Sequence, residues 1–212
     1  MERPPKTYGG RVVLLSWAGT MFEYLMPCLW MHTFPDTLLE RAANEAVFAQ
    51  RAYADSRRVP WGISESASSE QQDDGSYAYF AYGIPELALR QSHPDELVIS
   101  PYSSVLALHV DTHEALTNLR KMERSGWFGS HGPFESIDFT KRNGARRSRA
   151  EIVPLWMAHH QGMILLATAN CVCGDVVRNC FHKNQQVQSA ELLLQERPLA
   201  RTSVRPRRIR AA

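Results

Sequence analysis

Helix-forming segments separated by short polar loops run through most of this chain, and they constrain its fold more than any other feature of the sequence. The first is the apolar segment 22–31, in which Pro27 predicts a kink. Asp36 is placed to cap a longer segment that runs to about Arg57, with apolar residues along one face, and that must end before Pro60. The first quarter of the chain is therefore predicted to be mainly helical.

The same signals recur in the second half of the chain. Pro101 suits the first turn of a helix, and Asp111 can cap the next helix, over about 113–125. Two more helices are predicted near 152–173 and 185–195. The sequence therefore predicts pairs of helices of similar length.

Two segments interrupt this pattern and are predicted to be loops. One is the polar, acidic segment 64–75, and the other is 126–133, which is rich in glycine. Helical hairpins joined by such loops indicate an all-α fold. They suggest a toroid of hairpins, but periodicity alone does not separate a toroid from a simple bundle.

The size and charge of the chain bear on its partners. A chain of 212 residues can bury roughly 70% of its surface in one domain. Its net charge of +2 gives no strong field for nucleic acid. The basic segment 141–149 is typical of a solvated loop, and residues 199–212, an Arg-rich tail with few apolar residues, are predicted to be disordered. We therefore expect no nucleic-acid partner.

Export, membrane and metal signals are weak. Residues 1–21 contain no uninterrupted apolar core with a cleavage site, and no segment reaches the roughly 20 apolar residues of a membrane span. The cysteines lack the spacing of a zinc site, so we expect neither a metal nor a cofactor, and free thiols are typical of a reducing cytoplasm. These cysteines are Cys28, Cys171, Cys173 and Cys180.

Two carboxylates lie in segments that mix aromatic residues, glycine and ionisable groups. Glu65 follows Trp61 and Gly62, and Glu135 follows Phe134. A partly apolar setting of this kind raises the pKa of a carboxyl group. Glycoside cleavage needs two carboxyl groups, one to protonate the leaving oxygen and one to act as nucleophile or to activate water, so these are the candidate pair; the alternative is that both are solvated charges.

Aromatic residues lie near both carboxylates in the sequence. Their flat apolar faces could pack against sugar rings while polar edges bind hydroxyl groups. The candidates for this role are Trp61, Tyr77, Tyr79, Tyr82 and Trp127.

Three further groups carry open alternatives. Glu23 lies in an apolar helix, where it must either face a ligand or find a structural hydrogen bond. His159 and His160 are adjacent in a helix and point roughly 100° apart, so only one is expected to face a site. Spacings of three or four suit metal ligands on a helix, so helix packing or a sugar hydrogen bond is preferred for this pair.

Seven ordered segments carry a family resemblance. The segments SWAGTMFEYLMP, VPWGISES, YAYFAYGIPEL, LVISPYSSVLAL, GPFESIDFT, MAHHQGM and ELLLQERP occur in this order between residues 9 and 198. In that order they resemble the glycoamylase-like domain of bacterial cyclic β-1,2-glucan synthases, which is related to endo-β-1,2-glucanases.

The resemblance implies a fold and a chemistry. The fold would be an (α/α) six-hairpin barrel, and the reaction would be a retaining transglycosylation that closes a β-1,2-glucan into a ring. It implies an acid/base role for Glu65 and a nucleophile role for Glu135. The residues carried over as lining the cleft are Trp17, Glu23, Trp61, His159, His160 and Gln161.

Departures from the family pattern define the alternatives. A full barrel needs about twelve helices, and this chain supplies about half of them. We therefore expect a partial barrel over 9–198, preceded by a leader over 1–8 that does not match the family, in a chain that resembles a truncated fragment. The segment SSEQQDDG (68–75) also departs from the pattern and places subsite contacts in doubt.

The expected ligand is β-1,2-glucan or a glucooligosaccharide. The alternatives to cyclisation are an endo-β-1,2-glucanase-type hydrolase and a binding remnant without activity. Whether the rest of a split or truncated synthase completes the barrel stays open. The chain is expected to have no membrane span of its own, and to be cytoplasmic or associated with a membrane through such a synthase.

Overall fold

The computed structural model describes residues 6–8, 11–90, 93–140 and 150–197. The expected disordered tail and the basic loop 141–149 lie outside these residues. The α-helices are α1 (Met21–Leu25), α2 (Leu38–Arg57), α3 (Pro101–Leu106), α4 (Thr112–Arg124), α5 (Ala158–Val172), α6 (Val176–Phe181) and α7 (Gln185–Ala190). Short 3₁₀-helices follow three of them, at Pro27–Leu29, Ala107–His109 and Glu191–Gln195.

Short antiparallel strands connect the helices. They are β1 (Lys6–Tyr8), β2 (Arg11–Val13), β3 (Ser66–Gln71), β4 (Tyr77–Phe80), β5 (Val98–Ile99), β6 (Phe128–Gly129), β7 (Gly132–Pro133), β8 (Ser136–Asp138) and β9 (Glu151–Val153). They form three hairpins, β1–β2, β3–β4 and β6–β7, and one three-stranded sheet in the order β5–β8–β9. Ile137 in the central strand pairs with Ile99 on one side and Ile152 on the other.

Local sequence explains where the main helices begin. The Thr37 side chain accepts a hydrogen bond from the Glu40 N–H and caps α2, and Asp111 caps α4 by accepting from the Glu114 N–H. Pro101 occupies the first turn of α3, where its missing N–H costs nothing. The predictions for Pro101 and Asp111 are confirmed, whereas the cap of α2 is one residue later than predicted because Asp36 has a φ of +63°.

Two apolar cores lie on either side of α2. In one core, α1, α3 and α5 pack together around Leu25, Leu106 and Met163. In the other, residues of α2 and α4 pack against the strands, around Tyr82, Met122 and Ile137. Because both cores include residues of α2, this helix links the packed helices to the three-stranded sheet, whose central strand begins next to Glu135.

An amide side chain orders the segment that leads to Glu65. Asn118 of α4 donates to the Trp61 carbonyl over 2.7 Å and accepts from the Trp61 N–H over 3.2 Å. The Ser104 hydroxyl donates to the same carbonyl over 3.1 Å. These bonds give partners to the backbone N–H and carbonyl of Trp61, a buried residue that belongs to no strand or helix. They therefore fix the path of the chain at this point.

The helix-rich character that was predicted is confirmed, but three segments differ from the sequence prediction. Residues 126–133, predicted to be a loop, contain the short β6–β7 hairpin. Residues 66–71 form β3, although their composition is polar, because their backbone pairs with β4 and contacts β8. The helix predicted from about residue 152 begins at Ala158, because residues 151–153 pair with β8. The barrel itself stays a prediction. Within the described residues, no helix combines the length and apolarity needed to cross a membrane.

Candidate active site

Glu65 lies between the ordered segment 61–63 and the first residue of β3. Burial raises the pKa of its carboxyl group; the nearby His160 ring opposes this shift and the Glu23 carboxylate adds to it. In the part of the chain that the structure describes, no hydrogen bond to the Glu65 carboxylate is found. This side chain is therefore a half-buried acid that is available to an incoming group.

Glu135 immediately precedes β8, and its backbone N–H, its carbonyl and both of its carboxylate oxygens have hydrogen-bond partners. Its N–H donates to the Leu155 carbonyl over 3.0 Å, and its carbonyl accepts from the Ser100 hydroxyl over 2.8 Å. Its Oε1 accepts from the Ala67 N–H over 3.2 Å, and its Oε2 lies 2.8 Å from His160 Nδ1. Only 1% of its side chain is exposed, so its position is fixed by the surrounding structure.

His160, in the first turn of α5, connects Glu135 to Tyr79. Its Nδ1 faces the Glu135 carboxylate, which can only accept, so we assign the proton to Nδ1. The Nε2 atom then accepts from the Tyr79 hydroxyl, 3.3 Å away. The result is a hydrogen-bonded chain from Tyr79 through His160 to Glu135.

Tyr79 lies close enough to both Glu65 and Glu135 for their charges to affect its hydroxyl group. Burial raises the pKa of its hydroxyl group, and the negative charges of Glu65 and then Glu135 raise it further. The same hydroxyl lies 3.3 Å from Nε2 of His159, whose ring is exposed and whose pKa is lowered mainly by burial. The structure therefore places Glu65, Glu135, His160 and Tyr79 around one site, as the candidate pair requires.

Glu23 makes structural hydrogen bonds, which are one of the two roles that the sequence left open; its part in ligand binding stays a prediction. Its carboxylate accepts from the Ser16 hydroxyl over 2.9 Å, from the Ala18 N–H over 3.0 Å and from the Thr20 N–H over 2.9 Å. Burial alone would raise the pKa of this carboxyl group, but these hydrogen bonds lower it. Glu23 forms a capping box with Thr20 and orders the loop before α1.

Three of the aromatic residues expected to bind sugar rings pack in the apolar cores. Trp61 and Trp127 are each 5% exposed and Tyr82 is 2% exposed. The structure therefore gives these rings a packing role, and their contact with sugar rings stays a prediction.

The remaining candidates lie at the surface or near it. Trp17 is 63% exposed in the loop before α1, and Tyr79 is 36% exposed. Tyr77 is half-buried at the start of β4, opposite Gln71. Gln161 is half-buried in α5, with its side-chain oxygen beside Gly132 at the start of β7. Trp17 and Tyr79 therefore present the largest accessible aromatic surfaces among the candidates.

Tyr102 is the residue that sequence reasoning missed. It lies in the first turn of α3, is 2% exposed, and stacks on His160 with ring centroids 3.7 Å apart. Its hydroxyl donates to the Glu65 carbonyl over 3.1 Å. In the sequence, a tyrosine next to Pro101 is typical of an ordinary core residue. Only the tertiary structure shows that it contacts both His160, the partner of Glu135, and the backbone of Glu65.

Across the described ranges, no group of three or more histidine, cysteine, aspartate and glutamate side chains is placed to hold a metal ion. The cysteines are free thiols.

Comparison with known proteins identifies relatives of this chain. Residues 1–185 match the family Glycoamylase, described as "Putative glucoamylase". The chain belongs to this family. It is also 37% identical, over 197 residues, to the cyclic β-(1,2)-glucan synthase NdvB of Rhizobium meliloti strain 1021. That match covers 93% of this chain and 7% of the synthase, and it confirms the resemblance found in the sequence.

Solved structures share the fold. An endo-β-1,2-glucanase from Chitinophaga pinensis, in complex with sophorotriose and glucose, superposes with a TM-score of 0.63 at 19% identity, covering 91% of this chain and 46% of the glucanase. A β-1,2-glucanase from Parabacteroides distasonis gives a TM-score of 0.64 at 16% identity, covering 90% of this chain and 27% of that chain. The chain therefore spans less than half of each of these relatives.

Proposed function

We propose that this chain supplies the catalytic carboxyl pair of a carbohydrate-active domain that transfers or cyclises β-1,2-glucan chains with retention of configuration. The observation that carries the proposal is the contrast between two carboxylates at one site. Glu65 has no partner for its carboxylate within the described residues and has a raised pKa, whereas both carboxylate oxygens of Glu135 are engaged by hydrogen bonds. A carboxyl group that keeps its proton suits a general acid, and a hydrogen-bonded carboxylate suits a nucleophile at the same glycosidic bond.

Glu65 fits the acid/base role. Its raised pKa keeps a proton on the carboxyl group to a higher pH than usual, and that proton passes to the glycosidic oxygen as the bond to the anomeric carbon breaks. In the second half of the reaction the ionised Glu65 takes a proton from the attacking hydroxyl group. In transfer or cyclisation, this hydroxyl belongs to a glucan chain and not to water.

Glu135 fits the nucleophile role. One carboxylate oxygen attacks the anomeric carbon as the leaving oxygen departs, which forms a glycosyl ester, and the acceptor hydroxyl group later displaces Glu135 from the same carbon. The bonds from Ala67 and His160 aim the carboxylate before substrate binds. Trp17 and Tyr79 are the exposed aromatic residues proposed to pack against glucose rings.

The relatives support the choice of glucan. The synthase from Rhizobium meliloti is named for cyclic β-(1,2)-glucan, and the structural relatives are named for hydrolysis of β-1,2-glucan. We propose that this chain acts on the same linkage, because its match to the synthase extends over 93% of the chain and includes the segments that contain Glu65 and Glu135.

A second candidate function is glucan binding without turnover. The observation that favours it is the 1% exposure of the Glu135 side chain, since a nucleophile must reach the anomeric carbon. An endo-β-1,2-glucanase-type hydrolase remains the third outcome, in which water replaces the acceptor hydroxyl group.

One experiment separates these outcomes. Linear β-1,2-glucan is incubated with the protein, and products are resolved by mass spectrometry, in which a cyclic glucan is lighter by one water than its linear counterpart. Cyclic or elongated products, with the shortened leaving chain beside them, support transglycosylation, whereas shortened linear products without any cyclic or elongated glucan show hydrolysis. Glucan that binds in calorimetry but is recovered unchanged would overturn the proposed catalysis and leave the binding function.

A further inference from the structure

Tyr102 touches the supports of both carboxylates, although it touches neither carboxylate by a hydrogen bond. We propose that Tyr102 is a positioning residue that sets the placement of Glu65 and Glu135 relative to each other. This inference rests on the proposed catalytic pair. It assigns a role to a side chain that packs in the core and that the sequence pattern did not single out.

The hydroxyl group of Tyr102 fixes the Glu65 side. The Phe22 N–H donates to the Ser64 hydroxyl over 3.0 Å, and Ser64 and Tyr102 share a hydrogen bond of 2.9 Å. Because the Tyr102 hydroxyl donates to the Glu65 carbonyl over 3.1 Å, the Ser64 hydroxyl is the donor to Tyr102. The bonds thus run in one direction, from the N-terminus of α1 to the backbone of Glu65.

The ring of Tyr102 fixes the Glu135 side. It stacks on the His160 ring at a centroid distance of 3.7 Å with an interplanar angle of 12°. This contact fixes the plane of the imidazole, and within that plane Nδ1 faces the Glu135 carboxylate 2.8 Å away. His160 is itself only 1% exposed, and its Nδ1 supports Glu135 through this bond.

Rigidity follows from burial and from the position of Tyr102 in α3. A tyrosine has only two side-chain torsions, and at 2% exposure neither can change without repacking the core. The residue two before it, Ser100, donates to the Glu135 carbonyl over 2.8 Å. The start of α3 therefore contacts the backbone of both catalytic residues, and a displacement on the order of 1 Å here is expected to cost roughly 100-fold in rate.

Two substitutions separate the two halves of this role. Tyr102→Phe keeps the ring stack and removes the bond to Glu65, so it should impair the acid. We expect roughly a tenfold lower kcat on linear β-1,2-glucan, little change in KM, and a near-normal rate on a glucoside whose leaving group needs no protonation. Tyr102→Leu also removes the stack, so it should slow both substrates.

Tyr53→Phe is the matched control, because Tyr53 is 8% exposed in the other core, away from the pair. It should leave both rates unchanged. A Tyr102→Phe variant slowed equally on both substrates would overturn the proposal, since the hydroxyl would then have no particular link to the acid.

A readout without turnover keeps the proposal testable if the chain proves inactive. Nitrogen chemical shifts of the histidine rings report which nitrogen carries the proton. His160 should be protonated at Nδ1 in the wild type and in Tyr102→Phe, and should become a mixture of tautomers in Tyr102→Leu. His109, whose Nδ1 bonds to the Leu106 carbonyl over 2.9 Å, is the internal reference. An unchanged His160 in a folded Tyr102→Leu protein would refute the role of the stack, whereas lack of turnover by the wild type would count only against the proposed function.

Discussion

Gln50 pairs with the backbone of Ile63 through both ends of its side-chain amide. Its Nε2 donates to the Ile63 carbonyl and its Oε1 accepts from the Ile63 N–H, each over 2.9 Å, and the side chain is fully buried. The pair copies the hydrogen bonds between two strands where no strand is present. Because Ile63 lies two residues before Glu65, this contact links α2 to the position of the proposed acid.

Replacing Gln50 with alanine should destabilise the protein by roughly 1–3 kcal/mol, because it leaves the buried Ile63 N–H without a partner, whereas the Ile63 carbonyl still accepts from the Met21 N–H over 3.2 Å. Urea denaturation measures the change. Gln185→Ala, at an exposed position in α7, is the control and should stay within about 0.5 kcal/mol of the wild type. Equal effects of the two substitutions would show that the Ile63 bonds contribute nothing.

Glu135→Gln should abolish formation of the glycosyl-enzyme intermediate on every substrate, because an amide is too poor a nucleophile to attack the anomeric carbon. Rapid-mix mass spectrometry of the intact protein detects the intermediate as added glucosyl mass. Labelled Glu135→Gln protein would contradict the assignment of the nucleophile.

Glu65→Gln should fail in a different way. It should still react with an activated glucoside, whose leaving group needs no protonation, and added azide should restore part of the lost deglycosylation rate. The product anomer, read by NMR, distinguishes retention from inversion. If Glu135→Gln were the variant rescued in this way, the pair would stand with its roles exchanged.

The activity should depend on pH through Glu65. Burial raises the pKa of this carboxyl group above its ordinary 4.5, so the protonated acid persists to higher pH, and kcat/KM for glucan should fall as the pH rises through the raised pKa. The folded state binds this proton more tightly than the unfolded chain. The stability that it contributes is therefore complete below the ordinary carboxyl pKa and is lost as the pH rises through the folded pKa.

A pH–rate profile on an activated glucoside gives the matched comparison for Glu65. On this substrate the wild type should lack the alkaline decline that it shows on linear glucan, because the leaving group needs no protonation, and the Glu65→Gln variant should lack the decline as well. A decline of equal midpoint in the variant would assign it to another group.

Two glycines should respond in opposite ways to alanine. At Gly83, a Cβ would lie 1.8 Å from the Ala18 carbonyl oxygen, a backbone atom that cannot yield easily. At Gly162, inside α5, a Cβ meets no atom within 4 Å. Thermal unfolding should show Gly83→Ala to be strongly destabilised, and Gly162→Ala to be stabilised by about 0.5–1 kcal/mol through helix propensity. Similar melting temperatures for the two variants would refute the close approach at Gly83.

The sequence predicted the parts of the fold that depend on local chemistry. Pro101 and Asp111 start helices because their own backbone and side chain suit those positions. The strand β3 was missed because its polar residues carry no alternating pattern, and it is ordered instead by β4 and by contacts with β8. Local signals therefore predicted helices better than strands.

The site was predictable to the same extent. Glu65 and Glu135 lie in segments with a marked mixture of residue types, and the structure brings them to one site through His160 and Tyr79. Whether a tryptophan or tyrosine faces a cleft or a core depends on neighbours far away in the chain, and so the burial of Trp61 and Tyr82 and the contacts of Tyr102 could not be predicted from the sequence.

The supports of Glu135 come from distant parts of the chain, and this has a consequence for the order of folding. Ala67 precedes Glu135 by 68 residues, and His160 follows it by 25. During synthesis, α2 and the β3–β4 hairpin leave the ribosome while one of these supports has not yet been made. The carboxylate can reach its final geometry only after α5 has emerged and docked, so the reactive centre is among the last parts of a newly made chain to form.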